Sequence, residues 1–221
     1  IRSFVVLSLL ALAVFASYDP SQALEMAQAS TIAYSSINRF KRGAVQCVDG
    51  SGLQRYQRFI YEGQVLYEYK DAQGYTGYDP LRNEIVVAFR GTNTFKTSVD
   101  DARIIMVPYS LCRGCTVHLG FNSLYNSNAR IVESEFEAGD QTPTSRIKVT
   151  GHSLGAALAL LGALDLEYLF PGRIATVYNF GQPRVGNINF AIYADSRLQI
   201  YRVVHDSDIV ATIPPPFFML G

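Results

Sequence analysis

Four strand-length runs rich in isoleucine and valine constrain the fold more than any other feature of the chain: Ile85–Phe89, Ile147–Thr150, Ile174–Tyr178 and Ile200–Val204. A strand with one face in water alternates apolar and polar side chains. These runs barely alternate, which predicts strands covered on both faces and therefore a mainly parallel sheet. Helical spacing fills the intervals, over Phe121–Phe136 and Leu154–Phe170, with a shorter candidate at Asn187–Ala194. That succession predicts the α/β class, a mainly parallel central sheet with helices on both faces and right-handed crossovers. Upstream, Arg55–Tyr78 mixes aromatic and polar residues around Gly63, Gly74 and Gly77, which suits short antiparallel strands. A helix is predicted over Pro20–Phe40, with Leu24, Ala27, Ile32 and Ile37 as its apolar stripe.

No repeat or low-complexity linker divides the chain, and 221 residues at 48% hydrophobic content can bury one sizeable core. Basic and acidic residues both number 19, so no net field favours a polyanion, and nucleic acid is disfavoured as a partner. Arg2 precedes an apolar run from Phe4 to Phe15 broken only by Ser8, with Ala16 and Ser17 after it. This is the pattern of a signal peptide over residues 1–16, with cleavage expected after Ala16 and export of the remainder. The run is shorter than the roughly 20 residues a spanning helix needs, so no stable membrane span is expected. Ile1 in place of methionine implies a chain start that is cut short. An uncleaved anchor or a buried N-terminal helix is the alternative.

Three cysteines, Cys47, Cys112 and Cys115, are an odd number for an exported chain. Cys112 and Cys115 could close a small disulfide loop and leave Cys47 over. A zinc site would want a second pair of ligands, and a redox motif would open a helix after a strand.

Gly151-His152-Ser153-Leu154-Gly155 follows the second isoleucine-valine run and opens the long apolar helix. A serine on so sharp a strand-to-helix turn has its hydroxyl lifted above the sheet edge, and glycines two residues to either side let strand and helix approach. The bland reading is a helix-capping serine. The strand-turn-helix context favours a nucleophile. Such a serine needs a base, and the base an acid, in the chain order Ser, Asp or Glu, His. Asp206 and Asp208 follow the fourth run, at the sheet edge where Ser153 belongs. No histidine takes the remaining role, since His118 lies upstream, His152 adjoins Ser153, and His205 precedes the acid.

Phe89-Arg90-Gly91-Thr92, Val117-His118-Leu119-Gly120-Phe121, the Gly151–Gly155 motif, Phe180-Gly181-Gln182-Pro183-Arg184-Val185-Gly186-Asn187, and Asp208-Ile209-Val210 with Ile213-Pro214-Pro215 occur in that order. Together they resemble the fungal-type, or class 3, lipase family, whose fold is the α/β-hydrolase fold. The resemblance implies Ser153 as nucleophile within an elbow of Gly151, His152 and Gly155, and Asp208 as triad acid. It implies oxyanion donors at Thr92 and Leu154, a disulfide between Cys112 and Cys115, and a lid over residues 93–99, where the usual tryptophan is missing. The family's histidine comes shortly after the Pro-Pro segment. Residues 17–221 are thus expected to be a hydrolase domain incomplete at its C-terminus, and inactive alone.

The activity so implied is that of a secreted serine carboxylic-ester hydrolase, foremost a triacylglycerol lipase, with lipid or another ester as its partner at a lipid–water interface. That chemistry uses no metal or organic cofactor. A phospholipase or feruloyl-type esterase on the same fold, and a catalytically silent lipid-binding protein, stand as the alternatives.

Overall fold

The computed structural model describes residues 17–34, 58–60, 73–79, 82–92, 104–127, 129 and 144–215. The signal-peptide segment 1–16, Cys47 and the lid segment 93–99 lie outside the described residues. Along the chain come α1 (Pro20–Ile32), β1 (Arg58–Ile60), β2 (Gly74–Asp79), β3 (Glu84–Phe89), β4 (Met106–Pro108), β5 (Thr116–His118) and α2 (Leu119–Asn126). Then follow β6 (Arg146–His152), α3 (Leu154–Leu169), β7 (Ile174–Phe180), α4 (Ile188–Arg197), β8 (Ile200–Val203) and a 3-10 turn, Ile209–Thr212.

The central sheet has the order β1-β2-β3-β6-β7-β8. Its first two pairings are antiparallel, and β3, β6, β7 and β8 run parallel. The isoleucine-valine runs are its parallel strands, and β3, β6 and β7 are covered on both faces, while the edge strand β8 is only partly buried. On β3, Val86 packs with Ala23, Met26 and Ala29 of α1 on one side, while Ile85, Val87 and Phe89 face the cluster built on α3. Burial on two sides removes the alternation that a half-exposed strand must show.

Two buried polar side chains inside these strands have close partners. Lys148 Nζ pairs with Glu84 at 2.8 Å. The Thr150 hydroxyl lies 2.6 Å from the Tyr178 carbonyl oxygen. A buried charge or hydroxyl without such a partner would cost several kcal/mol, on the order of its desolvation.

Helix α3 is apolar almost all round because it lies between the sheet and α2 and α4. Leu158, Leu161 and Leu164 on it are fully buried, each contributing roughly 2 kcal/mol. Helix α1 covers the opposite face differently. Its buried residues are Ala23, Met26, Ala29, Ser30 and Ile32, and Leu24 is 63% exposed. The predicted stripe is therefore corrected. Small side chains bring this helix close to the sheet, and the larger Leu24 points to water. The helix also stops at Ile32 rather than Phe40, in a turn whose Ala33 carbonyl accepts from Gln73 Nε2 at 3.0 Å. Residues 35–40 are outside the described set.

The β4–β5 hairpin was not foreseen. The Cys112–Cys115 disulfide, with Cα atoms 5.4 Å apart, sits in its loop. The Asn187 side chain helps fasten this hairpin to the rest of the fold, beside Asn189 Nδ2, which also donates to the Gly114 carbonyl at 3.0 Å. Asn187 Oδ1 accepts from the Thr116 N–H (3.2 Å) and the Phe190 N–H (3.0 Å), and its Nδ2 donates to the Gly114 carbonyl (3.0 Å). The same residue thereby caps α4 and holds the loop.

Candidate active site

Parallel registry brings the C-terminal ends of the core strands level. Phe89 of β3 pairs with Gly151 of β6, and Phe180 of β7 sits between His152 and Val203. The segments that leave these ends, Arg90–Thr92, Ser153, Gly181–Gln182 and Val204–Asp208, therefore gather at one edge. In open α/β sheets that edge is where ligands bind.

Ser153 stands between β6 and α3 with φ 57° and ψ −125°. A non-glycine residue with positive φ stores strain on the order of 1–3 kcal/mol and persists only where neighbours enforce it. The neighbours here are glycines. A Cβ on Gly151 would run into the Gly155 carbonyl, and one on Gly155 would meet the Phe89 carbonyl oxygen, Arg90 C (2.7 Å) and Gly91 N (2.8 Å). Strand, helix and the Arg90–Gly91 segment thus touch backbone to backbone. The Ser153 N–H donates to the Phe180 carbonyl at 2.9 Å. Its side chain makes no capping bond to the helix it precedes.

Thr92 and Leu154 sit one residue beyond this contact on its two sides. Leu154 is buried and Thr92 half-buried. The amides of the first turn of α3 have no partner within the helix and form its positive end, directed at this edge.

Asp208 leaves the sheet after β8. Its Oδ1 accepts from the Val210 N–H at 3.0 Å and so starts the 3-10 turn. Its Oδ2 occupies the space beside Gly181, 2.6 Å from where a Cβ would stand, and Gly181 has φ 56°. Glycine is needed at that position for both reasons. This seat for the Asp208 carboxylate was not read from the sequence, though Gly181 stood within a motif. Asn179 shapes it from β7, with its Nδ2 donating to Gln182 Oε1 (2.8 Å) and to the Ala156 carbonyl (2.9 Å).

Two of the three histidine rings are engaged elsewhere. His118 Nδ1 accepts from the Gly120 N–H at 3.1 Å and caps α2. His152 Nδ1 lies 2.7 Å from the Tyr34 hydroxyl. Burial lowers the His152 pKa, against an upward pull from the Asp208 carboxylate. Burial raises that of Tyr34, opposed by a bond to the Gly91 backbone and the charge of Arg90. His205 precedes Asp208 in a turn closed by the Asp208 N–H on the His205 carbonyl, 3.1 Å. Among the described residues no imidazole is hydrogen-bonded to Ser153, and no group of three or more His, Cys, Asp or Glu could hold a metal ion. Nor is any described helix long and apolar enough to cross a membrane.

The family model for lipase (class 3) matches residues 86–218, which span every element of this edge. The chain belongs to the class 3 lipase family. It is 34% identical over 174 residues to a lipase of Rhizopus niveus, covering 73% of this chain and 44% of that protein. It is 36% identical over 146 residues to secreted mono- and diacylglycerol lipase A of Penicillium cyclopium, covering 65% and 47%. Among solved structures, a triacylglycerol lipase whose catalytic centre is described as a serine protease triad superposes with a TM-score of 0.78. That pair is 29% identical over 90% of this chain and 76% of the other. The chain thus spans about half the length of the curated relatives it matches.

Class 3 membership fixes the fold as that of the α/β-hydrolases, and the central sheet, parallel over β3, β6, β7 and β8 with helices on both faces, agrees. The elbow, Thr92 and Asp208 lie on segments that leave the same sheet edge. Tyr34 was missed because its partner His152 is 118 residues away in sequence.

Proposed function

We propose that the protein is a secreted serine carboxylic-ester hydrolase acting on acylglycerols. Ser153 is its nucleophile, Asp208 its triad acid, and Thr92 and Leu154 its oxyanion donors. The observation that carries this reading is Ser153 itself, held at φ 57° in a helix-capping position without capping the helix. A serine kept for structure would use its hydroxyl; this one leaves it available.

The reaction follows from the arrangement. A base takes the Ser153 proton as the oxygen attacks the ester carbonyl, and backbone N–H groups at Thr92 and Leu154 receive the developing oxyanion. The alcohol leaves with the proton, and water then releases the acid by the same steps. Neither metal nor organic cofactor enters this chemistry. Because the His118 and His152 rings each serve another contact and His205 is an exposed residue that precedes Asp208 in the chain, the base in this proposal is a histidine following the Pro214–Pro215 segment in the natural protein. The substrate class and export are supported by the names of the relatives, a triacylglycerol lipase and a secreted mono- and diacylglycerol lipase. The apolar run in residues 1–16 also supports export.

The test is covalent. An alkyl phosphonate ester should label the full-length protein once, on the peptide carrying Ser153, and abolish hydrolysis of emulsified triacylglycerol in proportion. Labelling elsewhere, or hydrolysis that survives full labelling, refutes the assignment.

A further inference from the structure

Beyond Asp208 the chain runs away from the sheet, and two arginines hold it. Arg202, on β8, donates from Nη2 to the Gln182 carbonyl (2.7 Å) and the Ala211 carbonyl (3.4 Å). Arg184 donates from Nη1 to the carbonyls of Thr212 and Pro214, the latter at 2.9 Å, while its backbone N–H reaches the Ile213 carbonyl at 2.8 Å. The carbonyls of four consecutive residues, Ala211 to Pro214, are thereby taken by Arg184 or Arg202.

Neither guanidinium has a carboxylate partner among the described residues. They also stand close enough for the charge of Arg184 to reinforce burial in lowering the Arg202 pKa. Two like charges side by side, with Arg184 half-buried and Arg202 exposed, do not attract one another and add little stability as charges. What they supply is reach. A guanidinium presents several donors in a rigid fork, so one side chain can join backbones that do not touch. Arg202 joins Gln182, the neighbour of the Gly181 seat, to the 3-10 turn that Asp208 starts.

We propose that Arg184 and Arg202 are positioning residues that clamp the Ala211–Pro214 segment and so hold the Asp208 carboxylate in its seat beside Gly181, at the distance from Ser153 that the triad requires. This rests on the ester-hydrolase reading above. It goes further in placing control of the acid on two side chains that touch neither substrate nor the reacting atoms.

The experiment uses the full-length protein with a soluble short-chain ester, and rates are divided by phosphonate-titrated sites so that unfolded molecules drop out. Arg202→Gln should lower kcat about 10-fold or more with KM within about twofold, because a carboxylate displaced by roughly an ångström no longer orients the base. A carboxylate next to an imidazole raises its pKa, and the base must be neutral to act. Losing that contact therefore moves the acid limb of kcat/KM to lower pH. Arg202→Lys, which keeps the charge and one donor, should recover part of kcat, and Arg184→Gln should follow Arg202→Gln at smaller amplitude. If kcat per titrated site and the acid limb stay at wild-type values in Arg202→Gln, the arginines are structural only and the proposal falls. Should Arg202→Gln not fold, wild-type values of both quantities in Arg184→Gln overturn it. Failure of the wild-type protein to titrate with phosphonate is a separate result, overturning the ester-hydrolase reading and this proposal with it.

Discussion

Helices α1 and α3 lie on opposite faces of one sheet, and they begin in opposite ways. Asp19 starts α1 in extended backbone, φ −113°, and its carboxylate accepts from the Ser21 N–H at 2.8 Å. His118, Asn187 and Asp208 do the same for α2, α4 and the 3-10 turn. Ser153, a residue type well suited to capping, starts α3 at φ 57° and caps nothing. At this one described start the fold forgoes a cap worth about 1 kcal/mol and accepts backbone strain as well. The difference separates a residue kept for the helix from one kept for what lies beyond it.

Exchanging the two cap residues for alanine gives the largest contrast. Ser153→Ala should lower turnover by on the order of 10⁴-fold or more while leaving the urea midpoint almost unchanged, since the hydroxyl holds nothing in the helix. More than a tenth of wild-type turnover would end the comparison. Next in size is Gly155→Ala, whose added methyl would collide with the backbone of Phe89–Gly91. A loss of about 3 kcal/mol in chemical denaturation is expected, and a neutral result would mean that the elbow is looser than it stands. Asp19→Ala should cost about 1 kcal/mol with kcat untouched, which a denaturation curve and an ester assay check together.

The smallest expected effect concerns the middle of α3. Burial raises the carboxyl pKa of Asp165 above its ordinary 3.8, with a hydrogen bond from Tyr125 opposing. In that window the folded chain holds a proton that the unfolded chain has released. Stability from this group is therefore present at low pH and declines as pH rises from 3.8 through the raised value. Asp165→Asn should flatten the slope of stability against pH there, and an unaltered slope would remove Asp165 as its source.

Legibility followed length and locality. The strands over Ile85–Phe89 and Ile174–Tyr178 could be read because burial on two faces leaves runs that few other structures need. The strands of the β4–β5 hairpin could not, since each is three residues long and one ends in Pro108, too little for a period of two to register. The face of α1 was misread because three of its five buried residues are alanines and a serine, which hydrophobicity underweights. At the site, Ser153 and Asp208 were legible through motifs. The carbonyl clamp of Arg184 and Arg202, the Tyr34–His152 contact and the seat at Gly181 join residues that only the fold brings together, and no local pattern announces them.

The side chain of Asn187 has a consequence for the exchange of parts. It serves the 114 and 116 positions of the hairpin and the first turn of α4 at once, so the disulfide loop is not an independent module, though it looks like one on the surface. Replacing residue 187 by one without that amide would leave the Thr116 N–H without its side-chain acceptor and α4 uncapped, while the Gly114 carbonyl keeps a bond from Asn189 Nδ2 at 3.0 Å. The loop is tied through its backbone to a residue more than seventy positions downstream, so the side chain at 116 can vary while a change at 187 loosens loop and helix together.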